Sequence, residues 1–174
     1  AWSCSEIKAG YYQSGPTTEV ICPAGKAGSG GNATCQDCLE GFFQNAPGNT
    51  TCRECPSGYY NEAEGSTTCN AVPPGSYYWN TKVRACDPGY YCSGLDANQT
   101  ACGAGTYAPD IGLIKCLDCL PGMFVANTTS IECKNCLDGQ FRASKNEIGK
   151  KSDGSRCEDC KAGKYQPIEG QANC

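Results

Sequence analysis

The chain of 174 residues contains no histidine, one methionine, four phenylalanines and few large aliphatic side chains. Without histidine there is no imidazole for acid–base work or for the commonest metal ligation. Serine and aspartate are scattered through turn-like segments, so no nucleophile–base constellation is visible and the sequence reads as a non-enzyme. Scarce aliphatic residues exclude one large hydrophobic core. No apolar run approaches the roughly 18 residues of a membrane helix, and no signal-peptide pattern is present. No segment repeats apolar residues with a 3.6-residue period, so essentially no helix is expected. The formal net charge of −4 lacks the basic footprint of a nucleic-acid binder.

What the chain has instead is cysteine, 17 residues, with 22 glycines and 10 prolines. That density marks a disulfide scaffold, stable only in an oxidising compartment. Four Asn-x-Ser/Thr sequons, at Asn32, Asn49, Asn98 and Asn127, agree with a secreted or cell-surface glycoprotein carrying covalent N-glycans.

The cysteines belong to a repeat. A unit opens at Cys22, Cys38, Cys55, Cys86, Cys102, Cys119, Cys136 and Cys160. Two further units have Ile7 and Val72 in the opening slot. Counting from the opener, slot +3 is glycine in all ten units: Gly10, Gly25, Gly41, Gly58, Gly75, Gly89, Gly105, Gly122, Gly139 and Gly163. Slot +5 is aromatic in all but one, where Ala27 stands. Gly48, Gly65, Gly112 and Gly170 recur at +10. Glycine in a fixed slot implies positive φ or close backbone approach. The aromatic supplies apolar area from one side chain and is expected to pack on a disulfide and on the next unit. The fold class is therefore small and disulfide-rich, an elongated tandem array of about ten short irregular β-hairpins. It is expected to run as one continuous array over 1–174, reaching on the order of 100 Å if units advance by roughly 10 Å.

Two pairing schemes fit the cysteines. Loop closure gives Cys22–Cys35, Cys38–Cys52, Cys55–Cys69, Cys102–Cys116, Cys119–Cys133, Cys136–Cys157 and Cys160–Cys174, leaving Cys86 and Cys92 for each other. The alternative interleaves alternate cysteines, such as Cys35–Cys52 with Cys38–Cys55. It provides for Cys4 through Cys22 but strands Cys160. Either way one cysteine is left over; in the first scheme it is Cys4, unpaired or intermolecular. Closing a loop of this length contributes about 3 kcal/mol, while ordering its backbone costs about 1–2 kcal/mol per residue. Stacking on neighbouring units must supply the difference.

Residues 52–69 (CRECPSGYYNEAEGSTTC) and 116–136 carry Cys-x-x-Cys-Pro-x-Gly-aromatic or a close variant, with a closing cysteine. They resemble the ephrin-receptor-like cysteine-rich repeat, and the loop unit is similar to the first module of tumour necrosis factor receptor repeats. The second resemblance implies loop closure. Both imply an extracellular architecture and leave the ligand open.

Other readings are weaker. Cys35, Cys38, Cys52 and Cys55 have zinc-like C-x2-C-x13-C-x2-C spacing, as do Cys116, Cys119, Cys133 and Cys136. The spacing continues into neighbouring units, which suits disulfides better, so no metal or other cofactor is expected. The glycine-rich GKAGSGG at 25–31 lacks a phosphate-loop order. Candidate interface residues are Trp2, Tyr78 and Trp79, as exposed aromatic anchors. Lys150 and Lys151 join them, within the basic insertion RASKNEIGKKSDGSR at 142–156. These features suggest an extracellular rod that assembles with copies of itself into a coat, matrix or filament and meets other extracellular proteins. The alternative is a ligand-binding ectodomain of a receptor or adhesion protein.

Overall fold

The computed structural model describes residues 6–31, 34–95, 98–143 and 154–174. Among these there is no helix, and eighteen short strands form nine two-stranded antiparallel sheets. Two compact units are present. One is Ala1–Val72 with Tyr78–Val83, the other Pro73–Tyr77 with Arg84–Cys174.

The hairpin follows from the spacing. In the unit opened by Cys38, Phe42–Phe43 pairs with Arg53–Glu54, in the register Phe42↔Glu54 and Phe43↔Arg53. The second strand is thus the dipeptide between the closing cysteine and the next opener. The amide of Phe42 donates to the Leu39 carbonyl at 2.9 Å, which makes a turn with Gly41 as its third residue, at φ +82°. That is the type II position reserved for glycine. Eight disulfides close or pin these units: 22–35, 38–52, 55–69, 86–92, 102–116, 119–133, 136–157 and 160–174.

Two-residue strands are too short to persist alone. Backbone hydrogen bonds between successive units hold them. The Gly25 amide donates to the Gln44 carbonyl one unit later at 2.8 Å, and the Gln44 amide donates onward to the Ser66 carbonyl at 3.1 Å. The Gly48 amide returns to the Cys22 carbonyl at 2.8 Å. The same pattern recurs with Gly89, Ala108, Ser130, Thr129 and Cys102. Residue +6 is therefore bonded to the unit before it and to the unit after it.

This fixes where the interior lies. The +6 side chains Gln44, Asn61, Cys92, Ala108, Val125, Arg142 and Gln166 are buried, as are most openers. The +5 rings are only half-buried, and Tyr165 is exposed. The +5 ring lies at the margin of this interior, because +5 bonds to its own hairpin partner while +6 is enclosed by both neighbours.

The +3 glycine has a second reason to lack a side chain. A Cβ on Gly25 would overlap the carbonyl oxygen of Gly65, two units further on. The same second-neighbour contact joins Gly10 to Gly48, Gly75 to Gly112, Gly89 to Thr129 and Gly122 to Gly170. A Cβ on Gly139 or Gly163, in the last two units of this sequence, meets nothing within 4 Å.

The unit opened by Val72 departs. It is a longer hairpin of Ser76–Trp79 and Lys82–Ala85. Asn80 and Thr81 at φ 49° and 64° form the left-handed two-residue turn that matches strand twist. Among the described residues, the bonds from Gly58 to Tyr78 and from Asn61 to Val83 that the pattern calls for are not made. Side chains replace them. The Val83 amide donates to Glu62 Oε1 at 3.2 Å, and the Tyr60 and Tyr78 rings lie 5.7 Å apart.

Gly25→Ala and Gly163→Ala impose similar φ strain, at +83° and +84°, but only the first collides with a neighbouring backbone. Gly163→Ala is expected to cost about 1 kcal/mol from φ alone, and Gly25→Ala at least about 2 kcal/mol more. Denaturant melts with disulfides intact measure the difference; equal losses would refute the second-neighbour contact.

Candidate interaction surface

The opener's burial turns its successor outward. With Cys38 1 % exposed, Leu39 is 62 % exposed; Leu120 and Leu137, in the same +1 slot, are 67 % and 57 % exposed. Pro23, Pro56 and Pro73 occupy that slot elsewhere and are also exposed. Burying such a leucine side chain is worth about 1.5–3 kcal/mol, so repeated exposure in one slot marks a surface suited to contact. Ile114 and Ile131, both at +12, are exposed as well.

Of the interface candidates, Trp79 is exposed, while Tyr78 is half-buried against Tyr60. The Tyr78 hydroxyl is buried and has no hydrogen-bond partner among the described residues. Burial, then the charges of Glu40 and Glu62, raises its pKa above the ordinary 10.0. Trp2, Cys4, Asn32, Lys150 and Lys151 lie outside the described residues. Arg142, the first residue of the basic insertion, is not a solvated charge. It is fully buried in a +6 slot, and its guanidinium donates to the carbonyls of Cys119, Leu120 and Met123. Register returns at Gly154, whose carbonyl accepts from Val125 as the +11 residue does in other units.

Asn98 and Asn127 are exposed. Asn49 is half-buried and its side-chain amide donates to the Ala46 carbonyl at 2.9 Å. The cysteines with zinc-like spacing are divided among disulfides: Cys35 with Cys22, Cys38 with Cys52, Cys55 with Cys69. Cys116, Cys119, Cys133 and Cys136 are likewise shared among three bridges. The Cys86–Cys92 bridge follows from the +6 geometry. Asn61 Nδ2 lies 3.5 Å from Cys55 Sγ, and a Cβ on Gly28 would lie 2.7 Å from Cys22 Sγ. Slot +6 faces the opener's sulfur, so a cysteine there bonds to it. Ion pairs contribute little: Lys26–Asp37 at 3.0 Å and Lys82–Glu40 at 3.9 Å are both solvent-exposed.

Sequence reasoning missed slot +6, whose occupants share no chemistry and so leave no signal. It also passed over the +1 leucines, although the dipeptide Cys-Leu recurs at 38, 119 and 136.

Residues 25–70 match the family model described as tyrosine-protein kinase ephrin type A/B receptor-like. The match covers about a quarter of the chain. It runs from the turn glycine of the Cys22 unit through the Cys38 and Cys55 units, and stops at Asn70, just before the unit that departs from the pattern. The chain thus carries an ephrin-receptor-like cysteine-rich module. No curated protein gives a significant match. The module and the eight disulfides together indicate an extracellular protein.

Tyr78→Phe removes a buried, unpaired hydroxyl and is expected to stabilise by about 1 kcal/mol or leave stability unchanged. The folded state holds the phenol proton above pH 10.0 while the unfolded chain releases it. This contribution is therefore complete below pH 10 and declines as pH rises through the raised value. Melts from pH 8 to 11 should fall less steeply for the variant; a steeper fall would contradict the burial.

Proposed function

We propose that this chain is a structural extracellular protein, a building block of a coat, matrix or filament that assembles through contacts between like copies. The observation that supports this reading is the recurrence of exposed leucine in one repeat slot, at 39, 120 and 137. A repeated slot presents the same chemistry at more than one place on each molecule. A contact between one such place and a different patch of the next copy is heterologous. It extends indefinitely unless rotation closes it into a ring. Exposed Trp79 adds an aromatic of the type that anchors interfaces.

A second reading, the ligand-binding ectodomain of a receptor or adhesion protein, draws on the match of residues 25–70. It predicts a dispersed chain that binds a different extracellular protein.

Sedimentation velocity and negative-stain imaging across a hundredfold range of concentration separate the two. Assembly predicts that mass grows with concentration. In the triple variant Leu39→Ser/Leu120→Ser/Leu137→Ser growth should be abolished or shifted at least tenfold upward, with the eight disulfides intact by non-reducing mass. A wild-type chain that stays monomeric throughout sinks the assembly reading and leaves the ectodomain.

A further inference from the structure

We propose that Asn127 carries an N-linked glycan, and that the protein keeps Thr129 in a strained backbone position to preserve that acceptor. The inference rests on the extracellular reading but not on assembly.

The argument starts from the +10 slot. Its amide bonds to the opener of the preceding unit, and its carbonyl packs on the +3 glycine two units back. In four units the slot holds glycine with positive φ: Gly48 at 76°, Gly65 at 71°, Gly112 at 73° and Gly170 at 76°. In the unit opened by Cys119 it holds Thr129, at φ 58°. A β-branched residue in the left-handed region is a genuine outlier.

The strain has no local release. The Thr129 amide donates to the Cys102 carbonyl at 2.9 Å, as the glycines do to their own openers. The Thr129 carbonyl packs where a Cβ on Gly89 would be. Rotating the backbone to a comfortable φ would break both contacts.

The Thr129 side chain gives no structural return. It is exposed, and its hydroxyl donates only to the adjacent Thr128 carbonyl at 2.7 Å. Glycine would serve the fold better, as it does in the four equivalent slots. What glycine cannot supply is the hydroxyl that completes Asn127-Thr128-Thr129 as a glycosylation acceptor. Asn127 itself is exposed.

The other described sequons show no such conflict. Thr51 and Thr100, which complete the acceptors at Asn49 and Asn98, are not among the residues with positive φ. Thr100 moreover has a strand position of its own, paired with Tyr91. Among the described sequons, only at 129 does the acceptor requirement oppose the demand of the fold. The contacts require the left-handed backbone but not a threonine in it, and a strained residue kept without structural need points to a functional constraint.

The test uses the full chain secreted from a eukaryotic host. After reduction, trypsin releases the segment between Lys115 and Lys134, in which Asn127 is the only sequon. Amide-cleaving glycosidase in heavy-oxygen water tags an occupied asparagine by mass. Wild type and Thr129→Ser are expected to be tagged, and Thr129→Gly untagged. Stability is compared without the glycan, in the Asn127→Gln background, where adding Thr129→Gly should raise the Tm by a few degrees. A secreted, disulfide-bonded wild type with Asn127 untagged overturns the inference and leaves the extracellular reading standing. A lower Tm on adding Thr129→Gly also overturns it, because threonine would then serve the fold.

Discussion

The structure depends on a backbone hydrogen bond between units, from the amide of the +3 glycine in most units to the carbonyl of residue +6 in the unit that follows. Gly25 to Gln44 and Gly105 to Val125, both at 2.8 Å, are instances. This bond brings each hairpin against the next, and burial, turn geometry and sulfur pairing follow from it. It encloses slot +6, orients that slot toward the opener's sulfur, and brings the +10 carbonyl onto the glycine two units back. A net contribution of about 1 kcal/mol per bond is modest, but several such bonds join each pair of neighbours. Disulfides supplement them by restricting the unfolded chain, and the buried openers place sulfur in the interior as well.

Where this bonding lapses, the molecule changes character. Between the units opened by Cys55 and Val72, paired tyrosine rings and a glutamate side chain stand in for main-chain bonds. The hairpin lengthens, and the disulfide loop is lost. Val72, buried in the opener slot, keeps the volume of the missing cysteine without its crosslink. Cys86 then bonds to Cys92 within its own unit. The departures are linked: without a cysteine at 72, the hairpin must be held by its own strand pairing and by side-chain contacts.

Much of this was legible in the sequence, for a physical reason. The +3 glycine is demanded by φ in every unit and, at Gly10, Gly25, Gly75, Gly89 and Gly122, also by a neighbour's carbonyl, so the repeat stands out. Hairpin spacing and the absence of helix were legible for the same reason, since turn chemistry and periodicity are written in residue type. The true interior was not. Slot +6 is defined by where its main chain is bonded, and it accepts glutamine, asparagine, cysteine, alanine, valine or arginine. The conspicuous +5 rings only border that interior. Arg142 shows the same limit. In the sequence it opens a basic loop, yet its charge is spent on three carbonyls of the preceding turn.

The return of register at Gly154 carries a practical consequence. The loop closed by Cys136 and Cys157 spans 21 residues against 14 in most others, yet main-chain bonding resumes on schedule after it. The Val125–Gly154 and Arg142–Gln171 bonds are thus those that shorter loops make, and a longer disulfide loop adds little closure entropy. A unit of this repeat can therefore differ from its neighbours in loop length while offering them the same main-chain partners.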